Sequence, residues 1–401
     1  MTVSPLSSEF QEALPILHQI EEAGFEAYFV GGSVRDALLG KPIHDVDIAT
    51  SAYPQEIKAI FPKTVDIGIE HGTVLVLAGN HKYEVTTFRS EDAYVDYRRP
   101  SSVSFVRSLE EDLKRRDFTI NAFALGRTGD VIDLYEGMTD LHHKRLRAVG
   151  VPLDRFNEDA LRILRGFRFA ASLDFEIEER TFEAMRKTAP LLEKISIERS
   201  FVEMDKLLTV PAWKKGLGEL LRAGAHRYLP DLKEAYTGLT RMMATLADTA
   251  VCASTEAWAF VILFLEVAHP SRFLKKWKTA TAFQKMVTDL VMLYRLRLTQ
   301  DYSLEILYQY GLDRALKVEE MREKVGLPSD ATSARELDKR LYIRDKGDIV
   351  INGSYLIKEM GFTPGPALGR CLKAVEEAIV TQRITNDLPA IIAFIKEMGY
   401  E

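Results

Sequence analysis

The sequence predicts an α+β protein in which a mixed α/β unit of about 150 residues precedes an all-helical array. Strand-like segments and glycine turns run as far as Leu134, whereas helical periodicity dominates after residue 150. The 401 residues are too many for one ordinary domain. Hydrophobic residues make up 46% and charged residues 28% of the chain, a balance typical of globular rather than disordered proteins.

The first 150 residues alternate between short helix and strand signals. Residues 8–23 carry apolar side chains at helical spacing, with Pro15 inside the pattern and Gly24 after it. A strand signal at 27–30 runs into Gly31-Gly32, and a short helix is expected at 35–39. Further strands are predicted at 46–49, 73–77, 83–88 and 131–134. The polar, aperiodic residues 89–104 predict a loop, and 109–125 are predicted to bring a helix.

The remainder of the chain has almost no strand signals. Apolar residues at helical spacing predict helices at 157–173, 178–188, 198–208, 213–223, 255–267 and 282–297. From about residue 304 the pattern continues as short helices broken by glycine and proline, for example at Pro364-Gly365-Pro366.

Composition excludes several classes of protein. No run approaches the ~18 to 20 apolar residues of a membrane span, and the N-terminus does not have the pattern of a secretion signal. Cys252 and Cys371 lie far apart, which argues against a disulfide framework or a cysteine zinc site and predicts a cytoplasmic location. Residues 1–200 carry 25 Lys and Arg against 33 Asp and Glu, whereas 201–401 carry 28 against 26, so the less acidic C-terminal half remains open to RNA.

The strongest local signal is GGSVRDALLG at 31–40, followed by DVDIA at 45–49. Glycines between a strand and a helix start let backbone amides approach a phosphate, and Arg35 can contact phosphate oxygens. If Asp45 and Asp47 lie on one strand, both carboxylates point to the same face. Two carboxylates beside a phosphate cradle suit Mg²⁺, and the combination predicts two-metal phosphoryl or nucleotidyl transfer.

Two further charged segments are ambiguous when each is taken alone. In LKRRDFTINAFAL at 113–125, the arginines could hold phosphates and Asp117 could accept from a ribose hydroxyl, but a charged helix start is the alternative. In RFNEDALRILRGFRFAASL at 155–173, a continuous helix would align Glu158, Asp159, Arg162 and Arg165 on one face. An ordinary salt-bridged surface is the alternative for that segment.

Taken together and in order, these segments resemble the class II tRNA nucleotidyltransferases, the CCA-adding enzymes of the DNA polymerase β-type nucleotidyltransferase superfamily. GGSVRDALLG and DVDIAT look like the family's metal and triphosphate motif, RRDFTINA like its ribose motif, and NEDALRILRGFRFA like its base-recognition motif. DLYEGMTDL at 133–141 is similar to its hinge motif, and IERSFVEMDKLL at 197–208 resembles its helix-stabilising motif. The resemblance is dense over residues 20–210 and looser at 348–372.

The resemblance implies a β-sheet nucleotidyltransferase head at 1–150, then an all-α neck at 151–210, body at 211–300 and tail at 301–401. Asp45 and Asp47 would hold two Mg²⁺ ions, and Glu84 is a weaker candidate for a third carboxylate. The residues implied in nucleotide binding are Gly31, Gly32, Ser33, Arg35, Arg116, Asp117, Asp159, Arg162 and Arg165, with Glu158 and Asn121 as weaker candidates.

The implied reaction is the addition of C, C and A to the 3′ end of tRNA from CTP and ATP, without a nucleic-acid template. A bacterial-type poly(A) polymerase shares the head motifs and is the first alternative. A specialised CC-adding or A-adding enzyme is the second, although the full-length segment 89–104 favours complete CCA addition. A catalytically idle RNA-binding protein is a third, which the two aspartates disfavour. A homodimer is left open, and Lys275, Lys276 and Lys278 form a basic cluster that is best read as a solvated helix face.

Overall fold

A seven-stranded mixed sheet lies at the centre of the N-terminal part of the chain. The computed structural model describes residues 2–3, 5–91, 94–95, 99–100, 103–247 and 252–399. The strands of the described residues, in this sheet and in three two-stranded sheets, are β1 Ala27–Val30, β2 Asp47–Thr50, β3 Thr64–Gly68, β4 Thr73–Ala78, β5 His81–Thr87, β6 Arg89–Glu91, β7 Tyr94–Val95, β8 Arg99–Pro100, β9 Val103–Phe105, β10 Phe123–Leu125, β11 Val131–Asp133, β12 Arg145–Leu146 and β13 Glu176–Ile177.

The helices account for most of the chain after residue 150. They are α1 Ser8–Glu22, α2 Gly32–Leu38, α3 Pro54–Ile60, α4 Leu109–Lys114, α5 Gly137–His142, α6 Pro152–Glu158, α7 Leu161–Leu173, α8 Glu179–Thr188, α9 Ile197–Leu208, α10 Trp213–Arg222, α11 Tyr236–Thr245, α12 Ser254–Phe264, α13 Pro270–Lys276, α14 Thr281–Leu296, α15 Leu304–Tyr310, α16 Leu312–Lys324, α17 Ala331–Arg340, α18 Gly353–Met360, α19 Pro366–Val380 and α20 Leu388–Glu397. The predicted α+β class is confirmed.

The order of strands in the large sheet is β11-β10-β1-β2-β5-β4-β3. β2 and β5 run parallel, and the other neighbours are antiparallel. Helix α1 covers this sheet, and the rings of Phe10 and Phe29 stack with centroids 4.6 Å apart. The middle of the sheet therefore joins the two segments that carry the glycine turn and the paired aspartates.

The predicted helix over 109–125 is wrong beyond its first turns. Helix α4 ends at Lys114, and Phe123–Leu125 forms β10 instead. All three residues of β10 are buried, and the strand pairs with β1 on one side and with β11 on the other. Tertiary pairing outweighs local helix preference here.

The predicted helix over 157–173 is also divided. Helix α6 ends at Glu158, Asp159 has an extended backbone, and α7 begins at Leu161. The Asp159 carboxylate accepts from the backbone N–H of Leu161 at 3.0 Å, a local bond that competes with a continuous helix and starts a new one. Asp159 and Arg162 therefore do not share one helix.

The predicted loop at 89–104 contains strand pairs. β6 pairs with β9, and β7 pairs with β8, both antiparallel, so part of the predicted loop is strand. The remainder of the predicted loop, including Arg98, lies outside the described residues.

The chain divides into two compact units, Met1–Thr237 and Gly238–Glu401. The predicted head and neck both belong to the first unit. The four-part division made from the sequence has different internal boundaries and stays a prediction.

Among the described residues, no helix combines the length and the apolar character needed to cross a bilayer. Both cysteines are buried free thiols.

Candidate active site

The glycine turn between β1 and α2 brings backbone close to two charged side chains. Gly31 has a φ of +75°, in the region that favours glycine. A β-carbon placed on Gly31 would lie 3.3 Å from Arg116 Nη1 and 3.6 Å from Asp47 Oδ2. Ser33, which was predicted to meet phosphate, is buried and donates its hydroxyl to the carbonyl of Val30 at 3.0 Å. The positive φ therefore favours glycine at this position, and a β-carbon would also crowd the end of the Arg116 side chain.

Three carboxylates cluster opposite this turn. Asp47 is the first residue of β2, and its register partner on the parallel strand β5 is Glu84. Register partners project from the same face of a sheet. The pKa of Asp47 is raised, first by the protein atoms crowded around its carboxylate and then by the charge of Glu84, with Asp45 adding to the rise and Arg116 opposing it. This accumulation of negative charge is what a divalent cation relieves.

The prediction that Asp45 and Asp47 lie on one strand is wrong. β2 begins at Asp47, whose antiparallel partner is Val30, the last residue of β1. Because the chain turns at Gly31, β1 offers no further pairing, and Asp45 precedes the strand. Asp45 nonetheless lies near enough to Asp47 to raise its pKa.

The carboxylates do not make a complete metal cage. Within the described part of the chain, no group of three or more carboxylate, imidazole or thiol side chains is arranged to hold a metal ion unaided. Mg²⁺ is commonly bound by one or two carboxylates, with water and substrate phosphates filling the other positions. The donor set of Asp45, Asp47 and Glu84 fits that kind of site.

Arg116 is oriented toward the carboxylates by a buried acid. Its Nη2 donates to Asp112 Oδ2 at 3.1 Å, and its Nη1 donates to the carbonyl of Asn121 at 3.3 Å. Burial alone would raise the pKa of Asp112, but the guanidinium groups of Arg115 and Arg116 hold it below its ordinary value. Asp112 is therefore an anion that fixes the direction of Arg116.

Asp117 joins the second and third motifs. Its Oδ2 accepts from Arg165 Nε at 2.8 Å and Nη2 at 2.7 Å, and its Oδ1 accepts from Asn121 Nδ2 at 3.1 Å. Burial opposes ionisation of Asp117, yet Arg165 and the hydrogen bond from Asn121 lower its pKa to about 2. Asp117 is consequently a permanent hydrogen-bond acceptor at neutral pH.

Asn121 connects this network with the first motif. Its Oδ1 accepts from Arg35 Nη1 at 2.6 Å, while its Nδ2 donates to Asp117. Arg35 also pairs with Asp36, with two contacts of 2.9 Å. Residues far apart in the sequence, at 35, 117, 121 and 165, thus form one continuous set of hydrogen bonds.

The residues of the third motif have different partners from those expected. Asp159 Oδ2 accepts from Arg199 Nη2 at 2.8 Å, not from Arg162. Arg162 Nη1 pairs with Glu158 Oε2 at 2.7 Å, and its Nη2 donates to the carbonyl of Arg115 at 2.8 Å. Asp159 lies at the break between α6 and α7, where its hydrogen bond from the Leu161 N–H at the start of α7 sets its position. Arg162 reaches toward the second motif.

Proteins of known function resemble this chain over nearly its whole length. A CCA-adding enzyme of Streptococcus pyogenes is 58% identical over 398 residues, which cover 99% of this chain and 99% of that protein. A CCA-adding enzyme of Streptococcus sanguinis is 58% identical over 397 residues, covering 99% of this chain and all of that protein.

The chain belongs to the CCA-adding enzymes. It is accordingly a tRNA nucleotidyltransferase.

The family models and solved structures agree with this assignment to the CCA-adding enzymes. Residues 27–147 match the "Poly A polymerase head domain", and residues 250–395 match the model for "tRNA nucleotidyltransferase domain 2". The structure of the Bacillus stearothermophilus CCA-adding enzyme in complex with CTP is 40% identical, with a TM-score of 0.88, and covers 98% of both chains. The Thermotoga maritima CCA-adding enzyme complexed with tRNA is 22% identical, with a TM-score of 0.59 over 98% of this chain, and shares the fold.

Several residues of this CCA-adding enzyme's site were not singled out from the sequence. Asp112 orients Arg116, and α9 contributes Arg199 to Asp159 and Glu203 to Arg168, the latter at 2.5 Å. Arg199 and Glu203 are four residues apart in IERSFVEMDKLL, so their shared helix face was readable, but their partners were not. The predicted basic cluster of Lys275, Lys276 and Lys278 is exposed, as a solvated helix face would be.

Proposed function

We propose that this chain adds C, C and A in turn to the 3′ end of tRNA, using CTP and ATP and no nucleic-acid template. The terminal 3′-hydroxyl attacks the α-phosphorus of the nucleotide. One O–P bond forms there while the bond from the α-phosphorus to the bridging oxygen breaks, and pyrophosphate leaves. The reaction would serve the maturation and repair of tRNA ends.

One observation carries the proposal: Asp47 stands beside Glu84 on parallel strands, directly opposite Gly31 and Arg116. A triphosphate needs positive charge and close backbone, and the attacking hydroxyl needs carboxylates nearby. Both requirements meet within this one small region. Two Mg²⁺ ions, held by Asp45 and Asp47 with Glu84 as a third candidate, would supply the Lewis acidity that phosphoryl transfer requires.

The ribose and phosphates of the nucleotide would be bound by the network around Asn121. Arg35 and Arg116 supply guanidinium donors for phosphate oxygens. Asp117 is ionised at neutral pH, so it accepts a hydrogen bond from a ribose hydroxyl without first losing a proton. Gly31 and Gly32 let the backbone approach the triphosphate.

Asp159 and Arg162 would choose the base. Cytosine and adenine both present an amine donor beside a ring-nitrogen acceptor, whereas uracil and guanine present the reverse order. A carboxylate only accepts and a guanidinium only donates, so the pair matches C and A and rejects U and G. Arg199 and the backbone of Leu161 would hold Asp159 in place for that contact.

The tRNA would be recognised largely by the C-terminal half, through its shape and phosphates. The four-part division into head, neck, body and tail belongs to this proposal. The proposal also gives residues 89–104 a larger role in the addition of A than in the addition of C. Deleting that segment should leave an enzyme that adds CC, and equal loss of C and A addition would contradict the role.

The test is incubation with tRNA lacking its 3′ end, together with CTP, ATP or both, and measurement of product length. Extension by two nucleotides with CTP alone and by three with both is expected. An open-ended ladder with ATP alone would indicate the poly(A) polymerase to which the head model also points. Incorporation of only C or only A when both nucleotides are supplied would indicate a CC-adding or an A-adding enzyme, respectively.

Two variants complete that experiment. Asp47→Asn keeps the shape of the side chain but removes its charge, and it should abolish addition of both C and A. Asp66→Asn, at an exposed position on edge strand β3 of the same sheet, is the matched control and should keep wild-type product lengths. Full activity of Asp47→Asn would overturn the assignment of the metal site.

A further inference from the structure

The ring of Phe169 is surrounded by three guanidinium groups. The guanidinium carbons of Arg35, Arg165 and Arg168 lie 5.2, 5.2 and 4.0 Å from its centroid. Arg165 and Arg168 belong to α7, as Phe169 does, whereas Arg35 comes from α2. The ring is therefore the point at which the first and third motifs meet.

The guanidinium group of each of these arginines also donates a hydrogen bond to a polar side chain. Arg35 donates to Asn121, Arg165 donates to Asp117, and Arg168 donates to Glu203 at 2.5 Å. Two of these partners, Asn121 and Asp117, belong to the proposed ribose and phosphate site. Any shift of the ring would consequently be transmitted to the groups that are to bind the nucleotide.

The ring gives the three like charges a shared stabilising neighbour in addition to their acidic partners Asp36, Asp117 and Glu203. Arg168 is largely buried, and its pKa is lowered first by that burial and also by the charge of Arg165, with Glu203 opposing both. An aromatic face carries the negative part of the ring quadrupole, and it attracts guanidinium groups within about 6 Å of the centroid. An aliphatic side chain of similar volume would fill the space but would not attract the cations.

We propose that Phe169 is a positioning residue for the nucleotide, whose ring face holds Arg35 and Arg165 in the orientation that phosphate and ribose binding require. The ring is 5% exposed and packs edge-on against Phe118, with centroids 5.9 Å apart and planes at 80°. Phe118 follows Asp117 directly, so this contact also ties the ring to the ribose side of the site. The inference rests on the proposed function and adds the means by which its arginines are aligned.

The test replaces Phe169 by a series of fluorinated phenylalanines carrying one, three and five fluorines. Fluorination changes the shape of the ring little but progressively weakens and then reverses its quadrupole. The KM for ATP and for CTP should rise with each step, by about 2- to 30-fold over the series, the range expected for loss of a cation–π contact. Discrimination between ATP and dATP should fall in parallel, because Arg165 orients Asp117.

Phe167 provides the matched control. It lies on the same helix and is fully buried, and in the described part of the chain no cation lies over its ring. The same fluorinated residues at Phe167 should leave KM within about twofold of wild type, since no cation–π contact is lost there. Melting temperatures of both series identify any general loss of stability, and the singly fluorinated proteins carry the comparison if heavier fluorination prevents folding.

Two results would overturn the inference. One is a KM that does not depend on the number of fluorines at Phe169, and the other is an equal rise of KM at Phe167. Measurement of ATP binding to each variant by calorimetry tests the role of Phe169 independently of the proposed function. If the wild-type chain bound ATP but added nothing to tRNA, the proposed function would fail, while the fluorine dependence of ATP affinity would still test Phe169.

Discussion

Removal of the Asn121 side chain should disconnect the phosphate side of the site from the ribose side. In Asn121→Ala, Arg35 Nη1 loses an acceptor at 2.6 Å and Asp117 Oδ1 loses a donor at 3.1 Å. Both lost hydrogen bonds involve a charged partner, and such bonds are worth about 1.5–3 kcal/mol each. If the transition state loses the free energy of one such hydrogen bond, kcat/KM for ATP falls by about 10- to 150-fold.

The assay is steady-state addition of the terminal A to tRNA ending in CC, with ATP and dATP measured separately. In the variant, Asp117 still accepts from Arg165 and from the backbone N–H of Phe118, but it loses the hydrogen bond from the Asn121 side chain. Discrimination between ATP and dATP should therefore shrink, which a general loss of stability would not produce.

Asn386→Ala is the matched control. Asn386 also makes two hydrogen bonds, accepting from Val350 N at 3.1 Å and donating to the carbonyl of Asp348 at 2.8 Å. It lies in the second unit, so its removal should leave the ATP-to-dATP ratio unchanged. An Asn121→Ala enzyme with kcat/KM within about threefold of wild type and the same ratio would refute the reasoning, because the loss expected for a charged hydrogen bond is larger.

Three further outcomes are expected. Asp159→Ala should slow addition of C and A and also relax rejection of UTP and GTP in a four-nucleotide competition; a slow but fully selective variant would mean that Asp159 does not read the base. The pKa of Asp117 lies at about 2 in the fold, below its ordinary value of 3.8, so its ionisation stabilises the fold above about pH 4 and that stabilisation is lost as pH falls toward 2. Asp117→Asn should remove this contribution, about 2 kcal/mol at pH 7, and unfolding free energies that differ from wild type by the same amount at pH 6 and pH 3 would contradict it. Affinity for tRNA should fall steeply with salt, linearly on logarithmic axes, and a truncation near residue 300 should weaken it while ATP binding persists; unchanged tRNA affinity after truncation would exclude the residues beyond 300 as the main binding surface.

The sequence alone determined the class of the fold and the family to which the chain belongs. The strand before Gly31 occupies residues 27–30 as predicted, and helices such as α9 and α10 begin within a residue of their predicted starts. These elements are local: a glycine needed for positive φ, or an apolar stripe at helical spacing, is visible within ten residues of chain. Motifs of this kind also carried the resemblance to the family, which the relatives confirm.

Tertiary structure decided the partners of the charged residues. Asp159 was expected to share a helix face with Arg162. Instead the helix breaks at Asp159, whose carboxylate accepts a hydrogen bond from the Leu161 N–H and another from Arg199, forty residues away. The stretch at 123–125 became a strand because β1 and β11 flank it. Glu84 owes its place beside Asp47 to the register of β5 next to β2. A charge can pair with any opposite charge that folding brings within a few ångströms, so sequence spacing limits the residue types at a site while packing selects which of them meet.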